Sequence, residues 1–293
     1  MSDSIGGYRE FSEPRRPHAW ACWPIARTGV RLVLRRKISW LLLGLALINF
    51  LFLFATIYLK AQISAQNPGI RQFVDRILTS VTGSGETYLD FMFAQGTVTM
   101  LLLAFAGATI IGDDHRQGGV TYYLSRRIGR AHYIAGKLLA VGVLVSLVTT
   151  LPALVLYIEY GLLTDSIEYF RENFRILLGI LGYGALMSVA LSLMICCLAS
   201  WLQKTIPLVM SWACVFIFLP AIGAILRRVY DNDQWMLLML WRDIRLVGSW
   251  CFGAIDSDRE EALLVRATLI VAAVCAVSFF ALFPRVRAVK VVK

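Results

Sequence analysis

The side chains best equipped for chemistry gather in one polar stretch, Gly112–Lys137, which reads GDDHRQGGVTYYLSRRIGRAHYIAGK. It opens on the acidic pair Asp113 and Asp114, then Arg116 and a Gly-Gly break ending at Gly119. An apolar patch of Val120, Tyr122, Tyr123 and Leu124 comes next, followed by Ser125, Arg126 and Arg127, then Arg130, and finally Gly136 and Lys137. These residues suit recognition rather than bond-making. Guanidinium forks pair with carboxylates or phosphates, while Tyr and Leu knobs fill a groove on a partner. A short helix lying across a membrane face would present both sets; a plain basic loop would offer the same groups to water.

Catalytic constellations are missing elsewhere. The three histidines, His18, His115 and His132, all lie in polar segments. The six cysteines, Cys22, Cys196, Cys197, Cys214, Cys251 and Cys275, show no CxxC or Cys/His spacing of the zinc type and read as small packing residues. No GxxxxGK[ST] loop is present, so ATP is not bound in that familiar way. No enzyme activity, metal or cofactor is expected of this chain.

The elements that must position Gly112–Lys137 are long and apolar. Of 293 residues, 58% are hydrophobic and only 16% charged, far from the quarter charged of a soluble domain. Ser39–Leu59, Phe91–Ile111, Leu138–Ile158, Ile176–Ala199, Thr205–Leu226 and Ala267–Phe283 contain no Asp, Glu, Lys, Arg or His. A helix rising about 1.5 Å per residue needs about 20 residues to cross the hydrocarbon. The first five runs meet that length, and the sixth does with its flanks. The expected fold is therefore all-α and polytopic, with six transmembrane helices. Because these runs lack ionisable groups, a proton- or sodium-coupled transporter is disfavoured.

Charge sets the expected orientation. Segments 1–38, 112–137, 200–204 and 284–293 hold 18 Lys/Arg against 5 Asp/Glu; the alternate segments 60–90, 159–175 and 227–266 hold 11 against 14. Positive charge is retained on the cytoplasmic side during insertion, so both termini are expected there. The net charge of +10 then reflects topology, and no nucleic-acid partner is expected. There is no apolar run before Ser39, hence no sign of a cleaved signal peptide.

Residues 1–24, rich in Pro, Arg and Glu, are expected to be a flexible tail, and 25–293 a single membrane domain. Residues 25–38 alternate apolar and basic groups at helical spacing. Ile25, Val30, Leu32, Val33 and Leu34 can face lipid while Arg27, Arg31, Arg35 and Arg36 face water, which describes an interfacial helix. Outside, 69–81 is expected to form a short helix. Segment 227–266, with Trp235, Trp241 and Trp250, is expected to lie on or dip into the outer face as one or two short helices. Two strips of small residues, Ala104/Ala108/Gly112 and Gly184/Ser188/Ser192, suit close helix packing.

The Gly112–Lys137 pattern resembles the permease subunit of ABC transporters, specifically the type-2 exporter permeases. Members show an acidic residue after the second span, a Gly-Thr pair, an "LLS" and an "SR" element, and a Gly-Lys opening the third span. Here Asp113 or Asp114 takes the acidic position, Gly119-Val120 the Gly-Thr pair, Tyr123-Leu124-Ser125 the "LLS", and Gly129-Arg130 the "SR"; Gly136-Lys137 matches as it stands. The departures are Asp for Glu, Val for Thr, and Arg126 where Pro is common. The motif covers 26 residues; six spans, a basic amphipathic helix before the first and a long outer segment before the last extend the likeness over most of the chain.

The resemblance implies a cytoplasmic ATP-binding subunit encoded separately, pairing with a second permease copy or paralogue, contact with membrane lipid, a coupling helix within 112–137 and an outward gate within 227–266. The alternatives left open are a non-transporting scaffold or signalling component with the same fold, and a membrane-embedded enzyme.

Overall fold

The computed structural model describes residues 21–66, 83–120, 129–163, 167–255 and 258–286. Six helices among them are long and apolar enough to cross a membrane: Lys37–Lys60, Gly85–Gly112, Arg130–Leu163, Phe174–Leu202, Thr205–Tyr230 and Glu260–Arg285. The protein is an all-α, multi-pass membrane protein, and no strand occurs among the described residues. Expected helix 69–81 lies outside them.

Chain order explains the packing. Helix α1 (Cys22–Leu34) precedes α2 (Lys37–Gln66), the first span. The second is α3 (Gly85–Gly107), which continues through a π-helical turn, Ala108–Gly112, into the short α4 (Asp113–Arg116). The third is broken into α5 (Arg130–Val148) and α6 (Thr150–Leu163). Pro152 explains the break, because it has no N–H for the Val148 carbonyl and its ring crowds that group. After α7 (Ile167–Glu172), the fourth span α8 (Phe174–Leu202) is the hub, packing on α3, α5, α6 and the later spans. The fifth runs as α9 (Thr205–Ala213), a π turn over Cys214–Phe218, and α10 (Leu219–Tyr230). Pro220 removes the donor for Phe216 inside that widened turn. A 3₁₀ turn (Asp233–Leu238) and α11 (Leu240–Phe252) lead to the last span, α12 (Asp258–Leu282).

Lipid is as apolar as Leu, so helices associate through close contact and hydrogen bonds rather than by hiding oil from water. The small-residue strips supply that contact. Gly184 lies against the Thr150 side chain, and the Ser188 and Ser146 hydroxyls stand 3.2 Å apart across α8 and α5. Trp212 Nε1 donates to the Met100 carbonyl at 3.0 Å, tying α9 to α3. The second span is the most enclosed, while the first, fifth and sixth keep wide exposed apolar faces.

Two expectations change on contact with the structure. The first concerns α1, whose helix already includes Cys22, Trp23 and Pro24 of the expected tail. Ile25, Ala26, Gly29 and Val33 are buried as α1 packs on α5 instead of facing lipid, while Leu32 stays exposed. Amphipathic periodicity shows that a face must be covered but not by what. The second concerns span ends. The helices overrun the uncharged runs, so Asp90, Lys137 and Glu159 belong to span helices. Glu159 is buried, and neither carboxylate oxygen has a hydrogen-bond partner.

Candidate functional site

At the arginine-rich end of the bundle, the two ends of the 112–137 segment are fastened together. Lys137 Nζ lies 2.6 Å from Asp114 Oδ2, and the Tyr133 hydroxyl donates to the same oxygen at 3.0 Å. Tyr133 and Lys137 are four apart on α5 and so share one face; the ammonium lies 5.5 Å from the Tyr133 ring centre. Lys137 also donates to the Ile110 carbonyl inside the π turn. A π turn displaces the regular hydrogen-bond ladder, and the ammonium supplies a donor where that ladder is disturbed.

Burial gives this clasp its weight. Lys137 is 4% exposed and Tyr133 2%, whereas the Asp114 side chain keeps 20%. A buried ammonium is tolerated only when paired and hydrogen-bonded, and here it has a carboxylate, a carbonyl and a ring. Asp113 plays a different part: it faces Arg116 at 3.4 Å and Arg36, at the α1–α2 junction, at 3.9 Å, both more exposed to solvent. The two aspartates are thus placed differently. Asp114 points inward to the clasp, and Asp113 outward to surface arginines.

Glycines set the close approaches around it. A Cβ on Gly136 would sit 2.8 Å from Ile25 Cβ, so α1 rests directly on the backbone one residue before the clasp lysine. A Cβ on Gly112 would sit 2.8 Å from the Gln203 carbonyl oxygen, at the turn where α8 ends in a left-handed residue and α9 begins. Gly118, at φ +73, turns the chain after α4, and Gly119 packs at ordinary distance on Asp114. Gly129, in extended geometry, precedes α5, whose first residue Arg130 is exposed.

Tyr122, Tyr123, Leu124, Ser125, Arg126 and Arg127 lie outside the described residues. Of the others singled out, Asp114 and Lys137 meet directly, Asp113 pairs with Arg116, and Gly136 seats α1. Tyr133 was not foreseen. Its signal was available in the i,i+4 spacing to Lys137, but a tyrosine near a span end also reads as an ordinary interfacial aromatic.

The opposite end carries a second polar assembly. Helix α11 lies against α3, α8 and α12 rather than on an outer surface. Trp241 reaches Gly96, where a Cβ would lie 2.4 Å from its ring, and stacks on Phe93 at 5.2 Å. Gly96 is eleven residues beyond the start of the Gly85–Gly112 span, about 16 Å along its axis, so α11 dips in among the spans. Arg245 pairs with Asp90 at 2.6 Å and covers the Phe93 ring at 5.3 Å. Asp243 is buried with Oδ2 unpartnered, and burial pushes its carboxyl up to about 7, partly offset by the Arg242 charge.

Among the described residues no cluster of His, Cys, Asp and Glu could hold a metal ion. No protein-family model matches the chain, and no curated protein matches it.

Proposed function

We propose that this chain is the membrane-spanning permease subunit of an ABC-type exporter, with ATP hydrolysed by a separate cytoplasmic partner docked on segment 112–137. The observation that carries the proposal is the ion pair of buried Lys137 with Asp114. It joins the acidic position after the second span to the Gly-Lys opening the third, the two fixed points of the resemblance. With its base clasped, a force on the tip of the segment acts on the π turn, the Gln203 turn and α1 together. Helix α11, inserted among the spans, suits an outward gate in the same scheme. The protein would reside in the cell's inner or plasma membrane as a pair with a second permease copy or paralogue, both termini cytoplasmic. Its own role is conduction and coupling, not catalysis.

Affinity capture of the tagged chain from its native membranes tests this. A P-loop ATPase should co-purify in stoichiometric amount, and its ATP hydrolysis should depend on the permease. Quantitative recovery of the chain with no ATPase would sink the proposal.

A further inference from the structure

Helix α1 sorts its side chains into stripes that repeat every four residues. Ile25, Gly29 and Val33 are buried where α1 packs on α5, and a Cβ on Gly29 would sit 3.0 Å from Ala140 Cβ. Ala26, Val30 and Leu34 form the next stripe around the helix. Beyond them runs a third, in which Trp23 is followed by Arg27, Arg31 and Arg35. The second and third stripes, with Val143 of α5, line a groove of about 340 Å³, within the size range of small-molecule sites.

The groove is divided by chemistry. One wall, Ala26, Val30, Leu34 and Val143, is hydrocarbon, and the exposed indole of Trp23 extends it. Val143 lies five residues, about 8 Å, past Leu138, where the uncharged run of the third span begins, so this wall reaches acyl-chain depth. The other wall carries three exposed guanidinium groups spread over about 12 Å of helix. No carboxylate lines the groove, and among the described residues none of these three arginines has an ion-pair partner. Arg36, by contrast, reaches Asp113. Helices α1 and α2 contain no Asp or Glu that could neutralise the stripe. Like charges four residues apart weaken a helix, so this face gains from an anion supplied by another molecule.

We propose that this groove binds one anionic phospholipid, its phosphate held by Arg27 and Arg31 and an acyl chain laid along Val30, Leu34 and Val143. Guanidinium forks pair with phosphate oxygens, and arginines at headgroup level beside apolar residues at chain level match both halves of that molecule. A zwitterionic lipid would bring an ammonium against the same arginines and is selected against. The groove lies outside segment 112–137 and its test reads lipid binding alone, so the proposal does not rest on the transport reading.

The full chain, purified in a mild non-ionic detergent, is titrated with phosphatidylglycerol or with phosphatidylcholine of the same acyl chains, and native mass spectrometry counts the bound lipid. One phosphatidylglycerol should be held about tenfold more tightly than phosphatidylcholine, the discrimination expected of one charge-assisted hydrogen bond. Arg27→Gln combined with Arg31→Gln should abolish that preference. Lys204→Gln, an exposed charge lost beside the Gln203 turn at the same end but outside the groove, should leave it intact. Val143→Trp keeps every charge but fills the apolar wall, and should weaken phosphatidylglycerol about tenfold, as expected for two methylenes left unburied. Equal retention of both lipids by the wild-type chain would mean that the arginines are neutralised otherwise, as by the three carboxylates within residues 1–20, and would overturn the proposal. Unchanged binding in Val143→Trp, or an equal loss in Lys204→Gln, would overturn it in favour of diffuse surface charge. Displacement of the lipid by excess glycerol phosphate would overturn it in favour of a site for free phosphate.

Discussion

Lys137 and Asp114, 23 positions apart in the chain, meet at 2.6 Å and close the 112–137 segment at its base. The two partners are unequal, because the ammonium is buried and the carboxylate is partly open to water. Removing the carboxylate strands a buried cation, whereas removing the ammonium leaves a carboxylate that still has the Tyr133 hydroxyl and some solvent. Asp114→Leu should therefore destabilise by about 3 kcal/mol and Lys137→Met by distinctly less, with the double variant recovering most of the loss. Thermal unfolding of the four proteins in one detergent reads this directly. Equal losses from the two single changes, adding in the double, would contradict a clasp.

The seat of α1 is tested at Gly136. Gly136→Val places a side chain into Ile25 and should lift α1 from α5 without blocking insertion of the spans. The readout is hydrogen exchange in 22–34, expected to rise by about tenfold or more, with partial rescue by Ile25→Ala. Protection unchanged in Gly136→Val would place the apolar face of α1 elsewhere.

Asp243 supplies a pH dependence whose sign follows from burial. Its carboxyl, pushed up to about 7 in the folded protein, ionises near 3.9 when unfolded. Between those values the folded state holds a proton that the unfolded state has released, so stability falls as pH rises through the window and levels off above it. Asp243→Asn should flatten this slope and raise the melting temperature above pH 7 by roughly 5 °C. Unfolding curves from pH 4 to pH 8 with the same slope in both proteins would remove Asp243 as the cause.

Much of the architecture was legible because lipid permits so few solutions. An uncharged run of about twenty residues has to be a helix, and all six appear. What overran the expectation was length, since a paired Lys137 or a buried Glu159 continues a helix that composition alone would end. The motif brought forward Asp114 and Lys137 but not Tyr133. The partner of α1 and the depth of α11 were not legible, because both depend on which helix lies opposite, and periodicity is silent on that.

Orientation rests on the excess of Lys/Arg in alternate segments. Single cysteines at positions 125 and 290, in a cysteine-free background, should resist an impermeant maleimide in intact cells, and those near 165 and 245 should react. Reaction at 125 before permeabilisation would invert the topology and with it the proposed docking side.

The sharpest test of coupling is Tyr123→Ala. If segment 112–137 docks an ATPase, its aromatic knobs fill a groove while Arg126 and Arg127 orient the contact. Buried aromatic anchors often cost 2 kcal/mol or more when truncated, roughly a 30-fold loss of affinity. Charge reversal of Arg126 and Arg127 should also weaken binding, but it erodes the positive-inside signal and confounds insertion with docking. Removing one tyrosine does neither. A solvated basic loop would hardly register the change, whereas a docking helix would lose most of its partner at limiting concentration. Co-purification of the ATPase with Tyr123→Ala, and with Tyr122→Ala and Leu124→Ala beside it, separates the two. Full recovery of partner and of coupled ATP hydrolysis in all three variants would leave this segment without a docking role.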